Sequence, residues 1–205
     1  MKITTMTMWA VMAGAFSQSE AAGQTADQRV SVCVESAAGF DILPLAEQTA
    51  SKMFAEAGVP IDWRRGLAGC PSPGILISLA SQAPADVPPD ALAYALAYEG
   101  SHVVIFYDRL QRRVRPAEIS SLLAHVLVHE ITHILQGISR HSTHGVMKAH
   151  WDGPDYQAMR WKPLSFTPED VNLIHRGLAA WAARAVSPRP AASTEAATGI
   201  TQQIR

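Results

Sequence analysis

Residues 124–147 read Ala-His-Val-Leu-Val-His-Glu-Ile-Thr-His-Ile-Leu-Gln-Gly-Ile-Ser-Arg-His-Ser-Thr-His-Gly-Val-Met, and the spacing within His129-Glu130-Ile131-Thr132-His133 decides how the rest of the chain is read. Residues four apart on a helix project from one face, so both imidazoles can reach a single Zn2+. The glutamate beside the first histidine can then take a proton from the metal's water. Zinc-assisted hydrolysis of a peptide bond is the chemistry this pattern serves. HExxH has only three fixed positions and arises by chance, the alternative being a buried helix whose histidines are satisfied internally. Three features favour a metal here: the preceding segment has no internal Gly or Pro, two more histidines follow closely, and a Gly-x-Met comes just after them.

Upstream of the motif, Pro116 and Glu118 suit the first turn of a helix, where a missing N–H costs nothing and a negative charge meets the dipole. From there to about Gln136, residues Ile119, Leu122, Leu123, Val126, Leu127 and Ile134 give a broad apolar surface, and His125, His129 and His133 form one stripe. Gly137 lets the chain leave the helix in a left-handed conformation that bulky residues avoid.

Nearer the start, Val30-Ser31-Val32-Cys33-Val34 alternates as a strand, and Leu43 to Ala57 has helical spacing ended by Gly58. Residues 59–63 and, more clearly, 74–79 are further strand candidates. Residues 81–92 are a Pro-rich surface loop, and 93–100 a loop or a short helical turn. His102-Val103-Val104-Ile105-Phe106-Tyr107 is the strongest strand pattern, expected at the centre of the sheet with both faces buried. Near the C-terminus, Thr167-Pro168-Glu169-Asp170 is a helix start, followed by Val171, Ile174, Leu178 and Trp181 at helical spacing. That helix is expected to pack and to carry no chemistry. The order implies an α/β fold: a small mixed sheet backed by a helix, a long helix carrying HExxH, and a C-terminal helix.

The 205 residues suffice for one domain with a sizeable core. Net charge is −1 with 17% charged residues, which argues against nucleic acid as a partner. The basic cluster Arg109, Arg112, Arg113 and Arg115 is expected to be a solvated loop. Residues 1–21 read as a secretory signal: Lys2, a mostly apolar stretch from Met6 to Phe16, then small residues. The apolar core is short for a membrane span. Removal of the segment would leave a secreted or periplasmic protein with no membrane anchor, expected to be a monomer. Export permits a Cys33–Cys70 disulfide, two buried thiols being the alternative. Residues 28–185 form the expected domain, and 186–205 an expected disordered tail.

The motif region resembles the metzincin superfamily of zinc metallopeptidases, whose consensus is HExxHxxGxxH with a downstream Met in a turn. The resemblance implies His129 and His133 as helical ligands, Glu130 as general base, Gly137 as the turning glycine, and Met147 as the turn methionine. Strict spacing would put the glycine at Gln136 and the third ligand at Ser139, and neither fits. His141, eight residues after His133, is the chosen third ligand; His144 competes, followed by His125 and His150. The chain is also similar to a divergent group of exported bacterial proteins carrying HEITHxLxGxxRHSxxGxMKAxW and a later FxPEDxxLI, described only as metalloproteins and without a settled substrate.

The metal set expected is therefore His129, His133 and His141 holding Zn2+, with Glu130 catalytic and a peptide or protein as substrate. Tyr156 is a weaker candidate to stabilise the oxyanion. By analogy with metzincins, an extended substrate could pair with residues 93–100 or with the strand at 75–79. Two rivals stay open. One is a catalytically inactive zinc- or peptide-binding protein of the same fold; the other is a zinc peptidase in which Glu169 replaces the third histidine. Arg140 is read as solvated or salt-bridged, or, less readily, as pairing with an acid that orients the loop.

Overall fold

The computed structural model describes residues 29–36, 41–96, 101–186 and 203–204. The signal-like segment and most of the tail lie outside them. The expected α/β architecture is present. Strands β1 (Val30–Ser36), β2 (Ile61–Arg65), β3 (Ile75–Ala80), β4 (Ala93–Leu96) and β5 (His102–Phe106) form one sheet, with helices α1 (Leu43–Glu56), α2 (Tyr107–Arg113), α3 (Ile119–Gln136), α4 (Gly153–Met159) and α5 (Pro168–Val186). A 3-10 turn at Pro116–Glu118 leads into α3, and a two-residue β6 (Gln203–Ile204) follows α5. The strand order is β2-β1-β3-β5-β4-β6. β1, β2, β3 and β5 are parallel, while β4 runs antiparallel to both β5 and β6.

One face of this sheet makes the core. Ile75, Ile77 and Leu79 of β3 alternate with less buried neighbours, as a pleated strand covered on one side requires, and Val30, Val32 and Val34 of β1 turn to the same core, with Cys33 between them buried as well. α1 turns Leu43, Ala46, Ala50, Met53 and Phe54 inward and packs against α3. Each fully buried side chain such as Phe54, Ile77 or Leu127 contributes about 1.5–3 kcal/mol. Cys33 alternates with Val32 and Val34 and so points to the opposite face. There it is bonded to Cys70, 37 residues on, which ties the β2–β3 connection back onto β1.

Four expectations are corrected, one of them in part. Ala93–Leu96 is a strand, the last of the five before β6, where a loop or helical turn was expected. β5 is, with β3, one of the two middle strands of the sheet, as expected, but its second face is only partly covered: Val103 and Ile105 are buried whereas His102 and Val104 are half-buried. With β1 and β5 on its two sides, β3 has no free edge on which a substrate strand could pair. The basic cluster, finally, is mostly helix. Arg109 is buried, donating from Nη1 to the carbonyls of Ala91 (2.8 Å) and Pro88 and from Nη2 to that of Val87 (3.1 Å). It clamps the 81–92 loop. Arg112 and Arg115 stay on the surface, paired with Asp108 (2.8 Å) and Glu118 (2.5 Å).

Candidate metal centre

α3 runs without interruption from Ile119 to Gln136 and is buried over almost its whole length. Its apolar positions pack on α1 and α5, and this burial holds the histidine stripe inside the protein. Gly137 caps the helix at φ 67°, its N–H bonding the His133 carbonyl (2.9 Å). The chain then doubles back. Ser142 N–H bonds the Met147 carbonyl (2.8 Å), and Met147 is fully buried. This return brings His141 to the two helical histidines, with ring centroids 5.2 Å from His129 and 4.9 Å from His133. One ring nitrogen from each of His129, His133 and His141 lies within 4.8 Å of the others.

Hydrogen bonding fixes which nitrogens those are. His129 Nδ1 donates to the Val146 carbonyl (2.9 Å) and His133 Nδ1 to the Ile138 carbonyl (3.3 Å). Carbonyls accept only, so each Nδ1 carries the proton and each Nε2 a lone pair. Burial holds both rings well below their ordinary pKa, His133 at about 4, with the neighbouring histidines adding to the effect. Both are therefore neutral near pH 7. The two Nε2 atoms nonetheless sit 2.9 Å apart. His141 Nε2 is buried with no hydrogen-bond partner among the described residues. Lone pairs converging like this repel one another unless a cation lies between them, and three imidazoles, two of them anchored outward through Nδ1–H, are a donor set that suits zinc.

No family model matches the chain, and no curated protein is significantly similar to it. Among solved structures, the crystal structure of archaemetzincin from Methanopyrus kandleri superposes with a TM-score of 0.55, covering 74% of this chain and 97% of that one at 15% sequence identity. The fold is that of archaemetzincin. On this archaemetzincin-like frame the three-histidine group is consistent with zinc.

Glu130, one residue from His129, is fully buried, and neither of its carboxylate oxygens has a hydrogen-bond partner among the described residues. Burial pushes its pKa up to about 8. A structural carboxylate would have found partners; this one is kept bare beside the histidines. Trp151, also buried, sets its ring edge-on to His129 (5.7 Å) and to His125 (6.1 Å). In the sequence it is the final Trp of MKAxW, a motif that by itself gave it no role at the site.

The other candidates fall elsewhere. His125 has both nitrogens engaged, Nδ1 donating to the Ser121 carbonyl (2.7 Å) and Nε2 accepting from Leu164 N–H (3.0 Å). It bonds the chain before α5 to α3. His144 is exposed beside Thr143 (3.1 Å), and His150, also exposed, lies outside the three-histidine group. Glu169 is 62% exposed and paired with Arg140 (2.5 Å). Tyr156 lines a small cavity with Val114, Glu118, Ser121, Leu122, Met159 and Arg160. Ser121, which shares that cavity, precedes His129 by eight helical residues, roughly 12 Å along the axis.

His125 also gives a pH dependence. Burial lowers its pKa from 6.5 to about 4 despite the Ser121 carbonyl, which favours the charged form. The folded value lies below the unfolded one, so the unfolded chain binds the proton first. The stabilisation is complete above about pH 6.5 and is lost as pH falls towards 4. In urea denaturation of the metal-free protein, the parent is expected to lose about 2 kcal/mol more than His125→Gln between about pH 7.5 and about pH 5. Equal losses in both would contradict a neutral buried imidazole.

Proposed function

We propose that this protein hydrolyses peptide bonds with the help of one zinc ion held by His129, His133 and His141. The observation that carries the reading is the convergence of three neutral imidazole nitrogens with nothing but one another to face. Zinc bound there supplies Lewis acidity to the attacking water and to the scissile carbonyl.

The chain's own groups account for the rest. The Val146 and Ile138 carbonyls hold His129 and His133 in one tautomer, so neither ring must lose a proton to bind metal. Glu130 is a buried acidic group next to the ligand His129 in the chain. Its carboxyl, favoured in the neutral form by burial in the metal-free fold, would be favoured in the ionised form beside a zinc ion held by its neighbours, and its unpaired Oε atoms could then take a proton from the attacking water and pass it to the nitrogen of the leaving amine. Trp151 walls the face of the centre shared by His125 and His129 and limits water there. The substrate is an extended peptide, for which β4, the last strand before the short β6 at one end of the sheet, is the pairing candidate; Gln203–Ile204 already pairs with Ala93 and Tyr94 of that strand. Export is part of the proposal, supported by the signal-like first 21 residues and by the Cys33–Cys70 disulfide. Among the described residues no helix is long and apolar enough to cross a membrane.

Elemental analysis of the purified protein tests the metal set. The parent is expected to hold about one zinc per chain, and His141→Ala to fall well below stoichiometry with its fold intact. Full retention of zinc in His141→Ala would move the third ligand to another residue. A parent without zinc would sink the reading altogether.

A further inference from the structure

The helix cap of α5 and the loop bearing His141 meet on a single buried carboxylate. Asp170 is fully buried in the first turn of α5. Its Oδ2 accepts from Thr167 N–H (3.0 Å) and Thr167 Oγ1 (2.7 Å), and its own N–H donates to Thr167 Oγ1 (3.1 Å). Those bonds complete a reciprocal cap and need only one oxygen. Oδ1 is given to the ligand loop, accepting from Ser142 Oγ (2.6 Å) and Arg140 Nη1 (3.1 Å). Arg140 extends the contact through Nη2 to Glu169 (2.5 Å), and Gln136 Nε2 donates to the Asp170 carbonyl (3.3 Å) at the end of α3.

Arg140 and Ser142 are the two neighbours of His141, so one oxygen holds the chain on both sides of that histidine. The loop has two residues more between His133 and His141 than the HExxHxxGxxH spacing allows, and each added residue brings backbone freedom that ordering must overcome. A charge-assisted bond from Arg140 and a short hydroxyl bond from Ser142 are the stronger kind of hydrogen bond, and both end on a fully buried carboxylate.

We propose that Asp170 is a positioning residue for the metal centre: it presets His141 towards His129 and His133 before any metal arrives, so that the cap of α5 is part of the site. The proposal rests on the three-histidine reading. It also joins Arg-His-Ser at 140–142 and Pro-Glu-Asp at 168–170, two motifs otherwise unconnected, into one device.

The test is the double variant Arg140→Ala with Ser142→Ala, which keeps the Thr167–Asp170 cap and all three histidines. Single Ser142→Ala and the conservative pair Arg140→Lys with Ser142→Thr accompany it. In the metal-free protein, amide exchange at Ser142 and Val146 should rise about tenfold or more in the double variant, while that of α3 stays unchanged. Zinc affinity, by competition with a chelator, should fall about 10- to 100-fold. The visible absorption of the cobalt-substituted protein should lose its tetrahedral intensity. Single Ser142→Ala should shift each readout in the same direction by less, and the conservative pair should recover most of each. Unchanged exchange and affinity in the double variant would overturn the clamp and leave the three-histidine reading standing. A parent that binds neither zinc nor cobalt would overturn both, whatever the loop amides do.

Discussion

Glu130→Gln is expected to keep its zinc and to lower peptide hydrolysis by about 10²- to 10⁴-fold, the usual contribution of a positioned proton acceptor. The amide is almost the shape of the carboxylate it replaces. Because neither carboxylate oxygen has a partner among the described residues, the exchange breaks no hydrogen bond and removes no packing. It takes away the group that can accept a proton and changes little else. Burial already pushes the Glu130 carboxyl up to about 8, so a neutral side chain at this position suits the metal-free fold at neutral pH. The measurement is cleavage of a mixed fluorogenic peptide set by zinc-loaded parent and variant, alongside zinc content and near-ultraviolet circular dichroism. Equal rates in both would remove Glu130 from the chemistry. Loss of zinc in the variant would make Glu130 a support of the site. A zinc-loaded parent that cleaves nothing would favour the rival reading, a metal- or peptide-binding protein without turnover.

The parts of the centre legible in the sequence are those set by local geometry. Four-residue spacing puts His129 and His133 on one face whatever surrounds them, and Gly137 marks where the helix must stop. α1 and β1 were legible for the same reason, since their apolar periods, 3.6 and 2, are local properties. The direction of the third histidine is not local. It depends on Ser142 meeting Met147 and on Asp170 reaching across 28 residues to Ser142, and in sequence Thr167 to Asp170 looks like any helix start. Its second hydrogen-bonding job is invisible there because a cap and a clamp use the same residue type.

Arg109 and β4 went unread for related reasons. A charge in a basic run predicts exposure, yet three loop carbonyls solvate the Arg109 guanidinium better than its neighbours on α2 suggest. Ala93-Tyr94-Ala95-Leu96 carries no β-branched residue and too little alternation to reveal a strand; pairing with β5 makes it one. β5 itself, a run of apolar residues, is a middle strand as its sequence suggests, yet His102 and Val104 stay half-buried on one face.

Gly177→Ala is expected to destabilise the protein by about 3 kcal/mol or more, the upper range for forced overpacking. Helix propensity predicts the opposite, since Ala replacing Gly inside a helix ordinarily gains about 1 kcal/mol. The sign turns on one contact. A Cβ at Gly177 would lie 1.7 Å from the Leu135 carbonyl oxygen and 2.8 Å from its carbon, both backbone atoms of α3 that no rotamer change can move. α5 must retreat from the last turn of α3, the turn that follows His133. Asp170 sits two helical turns earlier on α5 and would be drawn away from Arg140 and Ser142, so zinc affinity should fall together with stability. Urea denaturation and zinc competition on the same preparation measure both, with Arg176→Ala, at an exposed position of the same helix, as the control expected to change neither by much. A gain in stability for Gly177→Ala would mean that α5 does not approach α3 this closely, and the route by which Asp170 reaches the His141 loop would fall with it.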